Sequence, residues 1–226
     1  MTWRDVPRRL TWRQWTLLAT PVALVATTLV TFQWLDARFG SVGYLGGFVF
    51  YWVGWCLAVP TALLGPAGVR DLFRAGRPPL GSRPQLTAVA LVWLLPFPFL
   101  FYFLPNVAGA SAAALVASLV VGVVIGVTEE LLWRGTFVRV FPDSRWLGYV
   151  HPTVWFALWH VAPQSVRPSP VPGGVAAFVL YALLLGASYG YHARQTGSIR
   201  WCTVAHVVHD TLGLPGATFL GLAGAL

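Results

Sequence analysis

The stretch SAAALVASLVVGVVIGVTEELLWRG, residues 111–135, decides the fold class of this chain. Its uncharged part, which ends at Thr128, is close to the ~20 residues that an α-helix needs to cross a bilayer. Glu129 and Glu130 follow directly, and they are the only glutamates in the sequence. Charged side chains within a membrane are costly and usually serve a function there. The pattern therefore predicts a membrane helix that carries functional acidic groups at its end.

The composition of the whole chain also indicates a membrane protein. Of its 226 residues 57% are hydrophobic and 10% are charged, and the mean hydropathy is +0.67. A soluble core of this size could not bury so much apolar surface. The net charge of +8 does not indicate a nucleic-acid partner, because the arginines lie in short gaps between apolar runs. Cys56 and Cys202 have no metal-type spacing and predict no disulfide framework.

Apolar runs of about 20 residues predict an all-α fold, a polytopic transmembrane helical bundle with seven to eight helices. The whole chain, 1–226, is read as a single transmembrane domain. With this count most arginines fall on one side, with Arg38 and Arg167 on the other, so we expect a cytoplasmic N-terminus in the plasma membrane of a prokaryote. The predicted helices cover 14–34, 42–65, 85–104, 108–133, 147–163, 173–193 and 198–212, with a short terminal run at 214–226.

The two glutamates differ in their expected partners. Arg134 lies one helical turn after Glu130, so these side chains share a helix face and can form an ion pair. Glu129 is turned by about 100° from Glu130, so its carboxylate does not share the helix face of Arg134 and has no predicted ion-pair partner. We therefore expect Glu130 and Arg134 to support the site and Glu129 to be available for chemistry.

Two further apolar segments carry polar side chains at helical spacing. Phe156 and His160 share one face of the first segment, where an imidazole needs a polar partner. His206 and Asp210 share a face of the second, with His209 close to it. A lone buried histidine is often only a satisfied core residue. Three polar side chains within about one turn of a membrane helix are harder to explain by packing, so we predict a functional cluster.

Three motifs lie in order on separate apolar helices: E-E-x-x-x-R at 129–134, F-x-x-x-H at 156–160 and H-x-x-x-D at 206–210. Together they resemble the CPBP family of intramembrane proteases, which includes type II CAAX prenyl endopeptidases and the bacteriocin-immunity proteins of the Abi group. The resemblance covers roughly residues 85–226, which we expect to form the catalytic core.

The resemblance implies a helical bundle with a hydrophilic cavity, in which a glutamate activates water for attack on a peptide bond. It makes Glu129 the activating carboxylate and His160 the group that orients the water or shares its proton. His206 and Asp210 would stabilise the oxyanion, but many relatives have asparagine at the last position, and an ionised aspartate cannot donate a hydrogen bond. Asp210 must therefore be protonated, hold His206 in its donor state or bind a metal, and we favour the second.

A zinc site is the alternative reading of the same residues. Glu129, His160 and His206, with Asp210 or His209, would supply mixed nitrogen and oxygen ligands. The family is described both as glutamate-dependent and as metal-dependent, but the chain lacks the H-E-x-x-H motif. We therefore expect no cofactor, and zinc stays open.

Two other functions use the same membrane-embedded polar groups. A proton- or cation-coupled transporter would have inverted repeats with broken spans at matching positions, but Pro96 and Pro98 have no counterpart in the second half. A non-catalytic membrane adaptor would not need the full polar set. The expected partners are therefore the lipid bilayer and a peptide or lipidated-peptide substrate, for example a prenylated C-terminal CAAX peptide, and no nucleic acid.

Overall fold

The computed structural model describes residues 10–169 and 173–215, and all regular secondary structure among them is helical, with no β-strand. This confirms the all-α class. The longer helices in these ranges are α1 (Trp12–Val49), α2 (Ala58–Asp71), α3 (Pro84–Val92), α4 (Ala112–Glu130), α5 (His151–Trp159), α6 (Gly174–Thr196) and α7 (Arg200–Leu212). Short α-helical turns lie at Pro96–Pro98, Leu104–Asn106, Phe137–Val140 and Val161–Gln164, and π-helical turns at Phe50–Leu57, Phe99–Phe103, Leu131–Thr136 and Trp146–Val150.

Four helical runs in the described part of the chain are long and apolar enough to cross a membrane. They are Trp12–Asp71, Pro84–Asn106, Ala112–Val140 and Gly174–Thr196. The predicted number of seven to eight spans is therefore not confirmed. The predicted terminal run at 214–226 lies almost entirely outside the described residues, as do the arginines before residue 10.

Two features account for the lower count. The predicted helices 14–34 and 42–65 are two helices that meet at Gly40, where φ is 56° and ψ is −132°, and that count as one helical run. The chain turns back at this glycine, because the Phe32 ring lies 4.9 Å from the Phe48 ring. The predicted spans 147–163 and 198–212 contain the helical stretch Trp146–Trp159 and the 13-residue helix α7, both shorter than the ~20 residues that a membrane-spanning helix needs.

Arginines that the sequence places on one side of the membrane lie close together in the structure. Arg13 and Arg139 line one surface pocket, and Arg194 donates at 3.4 Å to a backbone carbonyl of the loop that follows Arg139. Arg167 lies instead beside the bend of α1, where its Nη2 is 2.7 Å from Asp36 Oδ1. The bundle therefore has one end rich in arginine, as the loop charges predict.

The most extensive contact between helices among the described residues joins α4 and α7. A Cβ atom on Gly126 would lie 2.8 Å from the backbone nitrogen of Val207, and one on Gly122 would lie 2.6 Å from Thr211 Oγ1. Two glycines one turn apart let helix backbones approach closely in a membrane. This contact brings the acidic end of α4 alongside the middle of α7.

Replacing Gly126 by alanine is expected to lower the free energy of unfolding by about 1–3 kcal/mol, because the new methyl group meets backbone that cannot easily yield. Thermal unfolding of the purified protein in detergent measures the effect. Gly54→Ala is the matched control, since its Cβ would meet only the Phe50 ring, at 3.5 Å. Equal stabilities of the two variants would contradict the close packing of α4 on α7.

Candidate active site

The two glutamates lie where α4 changes from α-helical to π-helical geometry. Glu129 and Glu130 are the last two residues of α4, and their exposed fractions are 3% and 0%. The π-helical turn Leu131–Thr136 follows at once, with the Thr136 hydroxyl donating to Leu131 O at 2.8 Å. Such turns occur frequently at functional sites, but this is one of four in the described residues, so it agrees with a functional site without identifying one.

Glu130 and Arg134 form a buried ion pair within this turn. Arg134 Nη1 lies 3.2 Å from Glu130 Oε1, and both side chains are almost fully buried. The guanidinium carbon of Arg134 also lies 4.0 Å from the centre of the Phe156 ring, a cation–π contact. This ion pair agrees with the one-turn spacing of the two residues in the sequence. Arg134 is therefore paired with Glu130 and not with Glu129.

His206 connects three carboxyl groups. Its Nδ1 lies 2.8 Å from Glu130 Oε1, a hydrogen bond between α7 and α4. Its Nε2 faces the other way, 3.4 Å from Asp210 Oδ2 and 3.8 Å from Glu129 Oε2. Because Glu130 is paired with Arg134, its carboxylate accepts, and the proton of the bond belongs to Nδ1.

Glu130 is thus the carboxylate that hydrogen-bonds His206, and Asp210, expected from the sequence to hold this ring in its donor state, lies near the opposite nitrogen. Glu130 makes the only hydrogen bond of the His206 ring among the described residues. Helical spacing reveals neighbours within α7, but it carries no information about contacts with α4. The bond from Glu130 could therefore not be predicted.

His160 is anchored in a similar way at the end of α5. Its Nδ1 lies 2.8 Å from the carbonyl oxygen of Phe156, and a carbonyl can only accept, so Nδ1 carries the proton. Nε2 of the neutral ring is then an acceptor. The Phe156 ring lies edge-on to both imidazoles, with centroid distances of 4.8 Å to His160 and 6.4 Å to His206. Phe156 therefore separates the two histidines and links them by packing.

Glu129, Glu130 and Asp210 all lie near His206, and His160 is joined to them through the Phe156 ring; these five titratable residues are named here the polar cluster. Glu129, Glu130 and His206 are buried, whereas His160 and Asp210 are half-buried. The cluster therefore has a closed side at the Glu130 ion pair and a more open side at His160 and Asp210. His209 lies behind Asp210, with Nδ1 3.1 Å from Asp210 Oδ1.

Aromatic residues that the sequence did not single out surround the cluster. The Tyr51 hydroxyl accepts a hydrogen bond from Trp133 Nε1 at 2.8 Å, and the Tyr51 ring stacks on Trp159 at 3.7 Å. The Tyr189 ring lies 5.4 Å from the His206 ring. A buried tryptophan N–H usually needs an acceptor, so Trp133 indicated a missing partner. Nothing in the sequence identified that partner as Tyr51, which lies in the first helical run.

A zinc site in a protein needs three or four donor side chains around one point. In residues 10–169 and 173–215, no group of three or more His, Cys, Asp or Glu side chains is arranged to hold a metal. Nδ1 of His206 bonds Glu130 and Nδ1 of His160 bonds a backbone carbonyl, bonds that would suit a histidine binding a metal through Nε2. The zinc alternative therefore fails to fit because the donor side chains do not converge on one point, and not because of the ring tautomers.

Comparison with known protein families gives one match. The family model described as "Type II CAAX prenyl endopeptidase Rce1-like" matches residues 111–212. No curated protein and no solved structure matches the chain. The matched range runs from the residue before α4 to the end of α7, so it includes the whole polar cluster, while Tyr51 lies outside it.

Proposed function

We propose that the chain is an intramembrane endopeptidase in which Glu129 activates water, because residues 111–212 match the model of the Rce1-like family of type II CAAX prenyl endopeptidases. The observation that carries the proposal is the meeting of buried Glu129 with His206 from another helix, 3.8 Å apart. That distance exceeds a direct hydrogen bond. Both groups are therefore close enough to bind the same water molecule, which would lie beside the line that joins them.

Glu129 is the general base in this proposal. Arg134 is paired with Glu130, so the Glu129 carboxylate is available to take a proton from water as the water oxygen attacks the peptide carbonyl carbon. The same proton then passes from Glu129 to the amide nitrogen as the carbon–nitrogen bond breaks. One product ends in a new carboxyl group, the other begins with an amine, and Glu129 returns to its starting state.

The two histidines have different roles: one orients the water before its attack, and the other stabilises the intermediate that the attack forms. His160, anchored through Nδ1, offers Nε2 as an acceptor that orients the water. His206, anchored through its own Nδ1, has carboxyl oxygens of Glu129 and Asp210 near Nε2. That environment suits a ring with protons on both nitrogens, whose Nε2–H donates to the oxyanion of the tetrahedral intermediate. Asp210 then holds Nε2 in its donor state.

The proposal extends to substrate, domain organisation and location. The substrate is a peptide held at the membrane, by a prenyl group near its C-terminus or by its own apolar sequence. Residues 1–226 form one transmembrane domain with its catalytic core at about 85–226. When the helices before and after Gly40 are counted separately, α5 and α7 complete a bundle of seven membrane helices. The arginine-rich end of the bundle and the N-terminus face the cytoplasm of a prokaryotic cell.

The full-length protein in proteoliposomes tests the function. The probe is a synthetic peptide with a prenylated cysteine four residues from its C-terminus, compared with the same peptide without the prenyl group. Mass spectrometry is expected to show cleavage of the prenylated peptide at one bond. Proton or cation flux without cleavage of either peptide would instead support a transporter and would contradict the endopeptidase.

Treatment with a strong chelator is expected to leave hydrolysis unchanged within about 2-fold, because the donor atoms of the polar cluster do not converge on an ion. The rate is measured before and after exhaustive dialysis against the chelator. Loss of activity that zinc restores would show that a metal takes part and would overturn water activation by Glu129 alone.

A further inference from the structure

A second row of polar side chains lies behind the polar cluster. The Tyr181 hydroxyl, on α6, is 2.6 Å from Nε2 of His209, and Nδ1 of His209 is 3.1 Å from Asp210 Oδ1. The other carboxyl oxygen of Asp210 lies 3.4 Å from Nε2 of His206. A continuous line of polar contacts thus runs from Tyr181 through His209 and Asp210 to His206.

The contact between His209 and Asp210 needs an external support. Consecutive residues on a helix point about 100° apart and do not normally face each other. Here the His209 ring lies nearly parallel to the Tyr181 ring, with 5.5 Å between centroids and 27° between planes. Tyr181 in turn packs against Phe97 at 4.7 Å. The tyrosine therefore fixes the rotation of the imidazole that reaches Asp210.

The protons of this row can be assigned from its donors and acceptors. The Tyr181 hydroxyl has one proton and two nearby acceptors, His209 Nε2 at 2.6 Å and Leu94 O at 3.2 Å. The Asp210 carboxylate can only accept, so Nδ1 of a neutral His209 carries the ring proton and donates to Oδ1. Nε2 is then an acceptor, and the hydroxyl donates to it rather than to Leu94 O.

We propose that Tyr181 and His209 are positioning residues, which hold Asp210 with one oxygen occupied and the other directed at Nε2 of His206. The consequence for catalysis rests on the proposed endopeptidase function. Asparagine, common at this position in the resembled family, has one acceptor and one donor end, whereas a carboxylate has two equivalent oxygens. The His209 bond therefore gives Asp210 a fixed orientation that the carboxylate alone would lack.

Kinetics with the prenylated peptide test the catalytic consequence. His209→Leu is expected to lower kcat by about 10–100-fold and Tyr181→Phe by about 10-fold, with KM unchanged, as for the loss of groups that orient a site residue. His209→Asn keeps a donor near the position of Nδ1 and is expected to recover most of the loss. Tyr149→Phe is the control, since that hydroxyl donates to Ala187 O at 3.0 Å, outside the row.

A double-mutant cycle separates positioning from general loss of structure. Tyr181→Phe is expected to have no further effect on kcat in the His209→Leu background, because the tyrosine acts through the imidazole. Additive effects of the two changes, or a kcat of His209→Leu equal to that of the wild type, would overturn the proposal.

Nitrogen NMR of the histidine rings tests the contacts whether or not the protein hydrolyses peptides. His209 is expected to carry its proton on Nδ1 in the wild type and in Tyr149→Phe, and to become a mixture of tautomers in Tyr181→Phe. A His209 protonated on Nε2, or one unaffected by Tyr181→Phe, would refute the role of Tyr181. If the expected tautomer is found without peptide cleavage, the endopeptidase proposal fails and the positioning of Asp210 stands.

Discussion

Replacing Glu129 by glutamine is expected to lower peptide hydrolysis by about 10²–10⁴-fold, the usual contribution of a general base. Glutamine has nearly the same shape as glutamate but cannot take a proton from water. Glu129 also lies outside the ion pair of Glu130 with Arg134, so the change leaves that pair intact and removes only the longer contact, 3.8 Å, with His206. The variant should therefore fold like the wild type while losing activity, as measured by initial rates and thermal unfolding in detergent.

The matched control for this change is Asp71→Asn, another replacement of a carboxylate by its amide on a helix. Asp71 lies at the end of α2, with 37% of its side chain exposed. We expect this variant to keep the wild-type rate. A Glu129→Gln protein with at least half the wild-type rate would remove Glu129 from the role of the base, and His160 would be the next candidate.

Replacing Arg134 by methionine is expected to lower the free energy of unfolding by about 3–5 kcal/mol, because it leaves a buried carboxylate without its cation. Glu130 is fully buried, and its partner Arg134 is 2% exposed. The change also removes the cation–π contact with Phe156. Unfolding in detergent measures the loss, and hydrolysis should fall with it because His206 depends on Glu130 for its orientation.

Two variants identify the cause of this loss. Arg74→Met breaks an ion pair with Asp71 that is 77% and 37% exposed, and such pairs contribute only about 0–1 kcal/mol. Glu130→Gln combined with Arg134→Met removes both charges and should regain much of the stability. If Arg134→Met is no less stable than Arg74→Met, the buried ion pair does not stabilise the fold.

The sequence predicted contacts within helices better than contacts between them. One-turn spacing placed Arg134 against Glu130 and Asp210 near His206, and both neighbours are found at 3.2 and 3.4 Å. The spacing works because it depends only on helix geometry. The bond from Glu130 to His206 and the contact of Tyr181 with His209 join different helices, and no local pattern encodes them.

The helix count shows a second limit of the sequence. Hydropathy finds apolar runs but not the turn that separates or joins them, and the two predicted helices 14–34 and 42–65 meet directly at Gly40. Hydropathy located α7 well, since the predicted 198–212 ends with the helix at Leu212, but it does not show whether so short a helix spans the membrane. The glycines at 122 and 126 were a signal that could have been used, since small residues one turn apart mark close helix packing. They would have identified the face of α4 that meets α7.

A single-turnover reaction in water enriched in oxygen-18 tests the central claim, that one acid in a buried cluster deprotonates the water that cleaves the peptide. We expect one oxygen-18 atom in the newly formed carboxyl group of the product. We expect none in the fragment of the digested enzyme that contains Glu129. Heavy oxygen in the side chain of Glu129 would mean that the carboxylate attacks the substrate itself, and would contradict the account.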